Sequence, residues 1–290
     1  MPFPSDDGSS QTLKIRGMDC CLHSWNTDSS KEQPRALIVF FHGFLAHGKY
    51  PTVRYAAELL AANKYAVIAA DMPGHGKSPG LRGYLPSADI LIQDGLEIAE
   101  YATKIFSTVP LFLAGSSMGG TIALSVASQL GTKVAGVILL APMLAIHVGE
   151  PARYVLKALS SVIPTLKIIP SSSTSPEKQY RDPEKRKECE EDELSISGST
   201  IRVGSASTCV ELAKEIHNTF SSISCPFLCL IGTQDVVVDN AGSLELMKAS
   251  PSQDKTLKQY EALHGLLCEP SPLVDQIHGD VLAWLDEHST

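Results

Sequence analysis

The stretch that decides the fold is PLFLAGSSMGGTIALSVASQL, residues 110–130. Its first part is a short apolar run typical of a buried strand, and its last part has the length and apolar spacing of a helix. Between them, GSSMG at residues 115–119 fits the pattern G-x-S-x-G, which holds a serine on a sharp turn between a strand and a helix. The glycines allow the turn to close, because they have no Cβ to collide with neighbouring backbone. Ser117 is therefore the candidate nucleophile.

Continuous apolar runs recur on both sides of this turn, each bounded by glycine, proline or aspartate. Such runs are typical of strands that are buried on both faces of a parallel sheet. Segments of helical length separate them, which predicts an α/β fold. Segments 12–16 and 20–25 predict an antiparallel pair at the sheet edge. The other predicted strands are 36–41, 65–70, 134–140 and 226–231, and the predicted helices are 52–63, 88–106, 117–130, 241–248 and 273–287.

The alternation breaks between residues 143 and 224, which predicts a cap inserted into a core made of 1–142 and 225–290. The insert begins with an amphipathic stretch, 153–169, in which Pro164 predicts a kink. A second predicted helix carries Cys209, Leu212, Ile216 and Phe220 on one face. Between the two lies a charged run, residues 171–193, which predicts a solvated face or a mobile loop.

Composition excludes several classes of protein. The chain has 290 residues, 43% of them hydrophobic, which is ample for a core, and its net charge of -8 argues against a nucleic-acid binder. No apolar run reaches the ~20 residues of a membrane span, and the start, MPFPSDDGSS, lacks the basic and apolar parts of a signal peptide. Seven cysteines without a CxxC pair indicate free thiols. We therefore expect a cytoplasmic protein in a reducing compartment.

A serine hydroxyl needs a base, and the base needs an acid that orients it. Asp235 follows the predicted strand 226–231, and His264 follows the β-like stretch 256–260. Both are therefore expected in loops that follow the ends of strands of the sheet. The chain order Ser, Asp, His fits this assignment. Asp239 is the alternative acid. A second G-x-S-x-G, centred on Ser78, follows a loop instead of a strand and is not expected to act.

An oxyanion hole would complete the chemistry, since two backbone N–H groups must point at the developing alkoxide. The residue after the nucleophile, Met118, supplies one N–H at the positive end of a helix. The loop after the strand 36–41 supplies the other, and Phe44 is the candidate.

These motifs together resemble the monoacylglycerol lipase and lysophospholipase branch of the α/β-hydrolases. The resemblance runs from about residue 34 to the C-terminus and is weaker in the insert. It implies the α/β-hydrolase fold, with an eight-stranded, mostly parallel sheet and a mobile cap, and it implies a Ser117, Asp235, His264 triad. The segments that carry it are HGFLAHGKY (42–50), DMPGHGKSPGLRGY (71–84), GSSMGG (115–120), GTQDVVV (232–238) and YEALHGLLCE (260–269).

The sequence departs from that branch at two positions. Members often have His before the nucleophile, where this chain has Ser116, and Glu in the loop before His47, where it has Ala46. Neither position belongs to the triad, but both bear on the site for the polar head of the substrate. The segment GLRGY, residues 80–84, is also similar to plant and protist members, some of which cleave caffeoyl-type esters.

The sequence thus predicts a serine esterase that works through an acyl-enzyme, with no metal and no organic cofactor. The favoured substrate is a monoacylglycerol or a related single-chain lipid. A lysophospholipid or a hydroxycinnamoyl ester is the first alternative. An acyltransferase is another, because the acceptor that reaches the acyl-enzyme decides the product. A non-catalytic binding protein is disfavoured, because no triad residue is missing.

A single acyl chain needs an apolar wall, because burial of each CH₂ is worth ~0.8 kcal/mol. The amphipathic stretch 153–169 also predicts peripheral contact of the cap with a membrane or micelle. The residues expected to build the wall are Met143, Leu144, Leu159, Ile163 and Val237.

Overall fold

The computed structural model describes residues 9–28, 33–171, 175–196 and 198–289. Its strands are β1 (Ser9–Ile15), β2 (Met18–Trp25), β3 (Leu37–Phe41), β4 (Ala66–Ala70), β5 (Leu111–Ser116), β6 (Gly136–Leu140), β7 (Lys167–Pro170), β8 (Thr200–Arg202), β9 (Phe227–Gly232) and β10 (Lys255–Tyr260). Its α-helices are α1 (Pro51–Ala62), α2 (Ala88–Ile105), α3 (Met118–Leu130), α4 (Glu150–Val162), α5 (Pro176–Gln179), α6 (Pro183–Glu190), α7 (Val203–Thr219), α8 (Ala241–Ala249) and α9 (Leu273–His288).

Eight strands form one sheet in the order β1-β2-β4-β3-β5-β6-β9-β10. β2 pairs antiparallel with β1 and with β4, and the other neighbours are parallel. The predicted sheet and its antiparallel edge pair are thus confirmed. Every residue of β3, β4, β5 and β6 is buried, which explains why these strands are continuous apolar runs.

Helices cover both faces of the sheet and divide the core in two. One cluster joins the inner faces of α2 and α3 to the sheet, and the other joins α1 and α9 to the opposite face. Within the described residues, no helix is long and apolar enough to cross a membrane. All seven cysteines are free.

The segment 143–224 holds α4 to α7 and a small antiparallel sheet of β7 and β8. The predicted helix over 153–169 is wrong in its second half: α4 ends at Val162, and the chain continues into β7 instead of kinking. Pro164 has no N–H and disfavours helical backbone at Ile163, so the helix stops there. The division into core and cap stays a prediction.

The charged run 171–193 contains helices in its described part, where the sequence predicts a solvated face or a mobile loop. In its described part, 175–193, it forms α5 and α6, and the Asp182 carboxylate accepts the N–H groups of Glu184 and Lys185 at the start of α6. Most of its charged side chains are exposed, but Tyr180 and Cys189 are buried against the core. Residues 172–174 lie outside the described part of the chain.

The second predicted helix of the segment is confirmed as α7. Cys209, Leu212 and Ile216 are buried on one face, and they join Phe220 in the same cluster as the core helices. α4 packs in turn on α7, through Leu156 and its neighbours. The segment is therefore anchored on α2 and α3, beside the candidate nucleophile.

Candidate active site

Ser117 lies on the turn between β5 and α3, with φ of 55° and ψ of -123°. An L-residue rarely adopts this backbone, so the surroundings must hold it there. A Cβ added at Gly115 would lie 2.2 Å from the carbonyl oxygen of Gly119, and one added at Gly119 would lie 2.0 Å from that of Phe41. Both positions therefore require glycine, as the sequence pattern predicts.

Backbone hydrogen bonds fix the strained serine in place. The N–H of Ser117 donates to the carbonyl of Leu140 at 3.0 Å, and its carbonyl accepts the N–H of Met143 at 3.0 Å. Both partners belong to β6 or the loop after it, so the neighbouring strand sets the position of the nucleophile.

The candidate base and acid form a pair at the same end of the sheet. His264 Nδ1 lies 2.7 Å from Asp235 Oδ2, and both side chains are buried. The other carboxylate oxygen of Asp235 accepts the N–H groups of Val237 and Val238, which leaves the acid no freedom to turn away. Such a carboxylate fixes the tautomer and orientation of an imidazole base.

Asp239, the alternative acid, points elsewhere. Its carboxylate pairs with His147 and accepts the N–H of Ala241 at the start of α8. It is therefore committed to ordering this loop, and the geometry favours Asp235 as the partner of His264.

The loop after β3 passes directly beside the nucleophile. A Cβ added at Gly43 would lie 3.5 Å from the Cβ of Ser117. Phe44, the next residue, lines the same cavity as Ser117. Met118 is the first residue of α3, and the first N–H groups of a helix have no partner inside the helix. Both candidate oxyanion donors thus belong to backbone that borders Ser117.

His42 holds this loop, a role that no sequence motif indicates. Its Nε2 accepts the N–H of Met72 at 3.0 Å, so its Nδ1 carries the proton and donates to the carbonyl of Gly43 at 2.8 Å. Burial lowers the pKa of His42 to about 4, and it lowers the pKa of the adjacent His75 to about 3. Two neutral imidazoles therefore support the loop that carries Phe44.

Ser78, the serine of the second G-x-S-x-G, is a structural residue. Ser78 Oγ donates to the carbonyl of Asp71 and accepts the N–H of Cys21. Burial alone would raise the pKa of Asp71, but hydrogen bonds from His23 and from the N–H groups of Lys77 and Gly48 outweigh it and lower that pKa to about 2.

Three side chains near Ser78 are of types that can bind a metal ion. The ligand atoms of Cys21, His23 and Asp71 lie within 4.8 Å of one another. A Cβ added at Gly48 would lie 2.6 Å from the His23 ring, so the group is closely packed, and the Asp71 carboxylate is already hydrogen-bonded. We assign these residues to holding the loops together, and the expectation of a metal-free reaction stays a prediction.

A cavity of about 730 Å³ lies between the end of the sheet and the segment 143–224. Ser117, His264 and Phe44 line it, together with three of the five predicted wall residues, Met143, Leu159 and Val237. None of its described lining residues is Asp, Glu, Lys or Arg, and most are apolar. It can therefore hold an uncharged, largely apolar group against the candidate nucleophile.

Two predicted wall residues are not among the described residues that line this cavity. Leu144 is fully buried in the core and packs against Gly242. Ile163 packs with Leu156, Val203 and their neighbours at the end of α4. Helical spacing placed Ile163 on the same face as Leu159, but α4 ends before it, which changes its direction.

Arg181 joins the segment 143–224 to the loops that carry the candidate acid and base. Sequence reasoning missed this contact. Arg181 donates to the side-chain oxygen of Gln234 and to the carbonyl of Glu261, each at 2.8 Å. It also pairs at 3.1 Å with Glu269, a buried carboxylate whose other oxygen accepts the N–H of Leu263. These contacts fix the residues that precede Asp235 and His264. No local pattern marks Arg181, because its partners are distant in sequence.

Comparison with known proteins decides the family. Residues 32–271 match the family described as "Serine aminopeptidase, S33" (Hydrolase_4). The chain belongs to this family. It is a carboxylic ester hydrolase with the α/β-hydrolase fold, which confirms the predicted enzyme class and the resemblance to the monoacylglycerol lipase branch.

Relatives within this family share most of the chain. A mouse protein named monoglyceride lipase is 30% identical over 259 residues, which are 87% of this chain and 82% of that protein. An Arabidopsis thaliana caffeoylshikimate esterase is 29% identical over 77% of this chain and 69% of its own length. The crystal structure of a monoacylglycerol lipase from Paleococcus ferrophilus covers 93% of this chain and all of its own, with 26% identity and a TM-score of 0.78.

The assignment of Asp235 as the acid can be tested against Asp239. We expect Asp235→Asn to lower kcat by about 10⁴-fold, because an amide does not support the required imidazole tautomer. Asp239→Asn should stay within a few-fold of wild type. Steady-state kinetics on a chromogenic ester, with the melting temperature as a check on folding, measures both. A larger loss for Asp239→Asn would reverse the assignment.

Acid should weaken the fold through the buried histidines. The unfolded chain takes up a proton at each histidine as the pH falls below 6.5, whereas His42 stays neutral in the folded protein until about pH 4. The free energy of unfolding should therefore fall by roughly 3 kcal/mol across this window on account of His42. Urea unfolding at several pH values measures it. His42→Gln should show a shallower dependence, and an unchanged slope would contradict this origin.

Proposed function

We propose that this protein is a serine hydrolase that cleaves esters of single-chain lipids, with a monoacylglycerol as the favoured substrate. The observation that carries the proposal is the largely apolar cavity of about 730 Å³ with Ser117 and His264 in its wall. Its volume falls within the range of small-molecule sites. The names of the mouse and Paleococcus ferrophilus relatives support the same substrate class.

In the proposed reaction, Ser117 Oγ attacks the ester carbonyl while His264 takes its proton. The Asp235 carboxylate holds the imidazole and stabilises its charge. The N–H groups of Phe44 and Met118 stabilise the oxyanion. His264 then protonates the departing alcohol, and an acyl-enzyme forms on Ser117. Water attacks this acyl-enzyme by the same route and releases the fatty acid.

The cavity favours an uncharged head group over a phosphate. Lys and Arg are the side chains that recognise phosphate, and neither occurs among the described residues that line the cavity. A lysophospholipid would therefore bring its charge into a site without a countercharge. This argument supports a neutral glyceride over the lysophospholipase alternative.

The segment 143–224 is proposed to act as a cap that meets a lipid surface. On α4, Tyr154, Val155 and Val162 are 67%, 59% and 79% exposed, and Leu166 and Ile168 follow with about half of their surface exposed. Val155 also lines the cavity, so the apolar surface is continuous with the site. A monoacylglycerol in a membrane or micelle could thus enter without crossing water.

Replacement of the nucleophile tests the reaction. Ser117→Ala should lower kcat for monodecanoylglycerol by at least about 10⁴-fold, because no other group can form the acyl-enzyme. Ser78→Ala should keep substantial activity. A fluorophosphonate probe should label Ser117 in the wild type, as found by peptide mass spectrometry. Labelling of Ser78 or Ser116 instead would overturn the assignment.

The apolar wall can be tested by the dependence on acyl chain length. In wild type, kcat/KM for monomeric p-nitrophenyl esters should rise with chain length, by up to about fourfold per buried CH₂, until the cavity is full. Leu159→Asp places a charge in the wall and should flatten this rise, while p-nitrophenyl acetate is affected least.

Ser161→Asp is the matched control, because Ser161 is exposed on another side of the same helix and is not among the described lining residues. It should keep the wild-type dependence. An equal loss on all chain lengths in Leu159→Asp would indicate damage to the fold, and an unchanged dependence would mean that α4 does not line the acyl site.

A further inference from the structure

A second chamber of about 580 Å³ adjoins the main cavity. Phe44 and Ala46 line both, as do Pro170, Ser171 and Gln179, so the two spaces meet beside the loop that carries a proposed oxyanion donor. An ester held with its carbonyl at that loop can place its acyl chain in one space and its alcohol in the other.

Ala46 stands at this junction. Its N–H donates to the carbonyl of Gly43 at 3.2 Å, which fixes its position in the same turn as Phe44. Its side chain is a single methyl group. Because Ala46 lines both spaces, a longer side chain at this position would narrow the place where they meet.

The chemistry of the second chamber differs from that of the main cavity. Its described wall carries four serines (Ser171, Ser175, Ser195 and Ser199), the amide of Gln179 and the carboxylates of Glu177 and Glu190, and none of its described lining residues is Lys, Arg or His. Hydroxyls, amides and carboxylates are hydrogen-bonding partners for alcohols. The two carboxylates repel an anionic head group, so the wall suits a neutral, hydroxyl-rich ligand.

The part of the chamber near Tyr50 and Leu45 is held by hydrogen bonds and is partly apolar. Tyr50 lines it, and the hydroxyl of Tyr180 donates to that of Tyr50 at 2.9 Å; burial raises the pKa of both phenols, so both stay neutral. Leu45 and Ile196 add an apolar patch, joined by the hydrogen bond from the Ile196 N–H to the Leu45 carbonyl. A sugar ring, with hydroxyls at its rim and C–H groups on its faces, matches such a wall.

We propose that this chamber is the alcohol subsite and that it accepts acyl esters of neutral polyols larger than glycerol, with a monosaccharide as the representative size. The inference rests on the proposed ester hydrolysis. In that reaction the bond between the acyl carbon and the polyol oxygen breaks, His264 returns the proton to that oxygen, and water completes the release of the acid. Glycerol would leave most of the chamber empty, whereas a hexose has twice as many heavy atoms.

The test compares three substrates with the same decanoyl chain: monodecanoylglycerol, glucose 6-decanoate and decanoyl lysophosphatidylcholine, each below its micelle concentration. Wild type should hydrolyse the glucose ester with a kcat/KM at least equal to that for the glycerol ester, and the lysophospholipid most slowly. A lower kcat/KM for the glucose ester than for the glycerol ester would overturn the inference while leaving the proposed function intact. Faster cleavage of the lysophospholipid than of the glucose ester would also overturn it. No cleavage of any of the three would refute the proposed function itself.

Two variants narrow the chamber from different sides. Ala46→Leu narrows the place where the two spaces meet. Ser199→Trp adds a large side chain to the wall of the second chamber, at a residue that is remote in sequence from the loop after β3. Each should lower the ratio of kcat/KM for the glucose ester to that for the glycerol ester by about tenfold or more. Ser161→Trp, at a residue that is not among the described lining residues of either space, should leave the ratio unchanged. An unchanged ratio in Ser199→Trp would contradict the chamber's role even if Ala46→Leu disturbs the neighbouring backbone.

Discussion

The close approach of α3 to the end of β3 sets the geometry of the whole site. The backbone around Gly119 comes so near the carbonyl of Phe41 that no Cβ fits between them. At this contact the start of α3 lies directly against the sheet, and Ser117 has an unfavourable backbone conformation at the turn. The contact also brings the loop after β3 next to the serine, so that one contact places both the proposed nucleophile and a proposed oxyanion donor.

The second requirement is that several loops from distant parts of the chain keep their positions. The buried neutral imidazole of His42 and the buried carboxylate of Asp71 support the loops after β3 and β4, where hydrogen bonds replace the water that these two groups lose. On the other side, Arg181 and Glu269 tie the segment 143–224 to the loops of Asp235 and His264. The buried His47 and the partly exposed Asp192 form a further link between that segment and the loop after β3. The segment that closes the cavity therefore also helps to position the proposed acid and base.

In the proposed subsite arrangement, the two spaces beside Phe44 divide an ester according to its polarity. The main cavity lacks charged side chains among its described lining residues and is closed by α4, α7 and the loop after β6, which suits an acyl chain. The second chamber is lined by hydroxyl, amide and carboxylate groups, which suits an alcohol. On this proposal, the side chain at position 46 is the point at which chain and head group are separated.

The sequence by itself determined the elements of the sheet and the type of chemistry. Buried parallel strands must be continuous apolar runs, and the turn at Ser117 requires glycine at fixed positions, so both leave local patterns that can be recognised along the chain. Only the tertiary structure decided the rest. Ile163 is not among the described residues that line the main cavity, and α4 ends one residue before it. Arg181 and His42 owe their contacts to partners remote in sequence. Contacts of this kind depend on where the segment 143–224 packs, and that packing leaves no periodic pattern in the sequence.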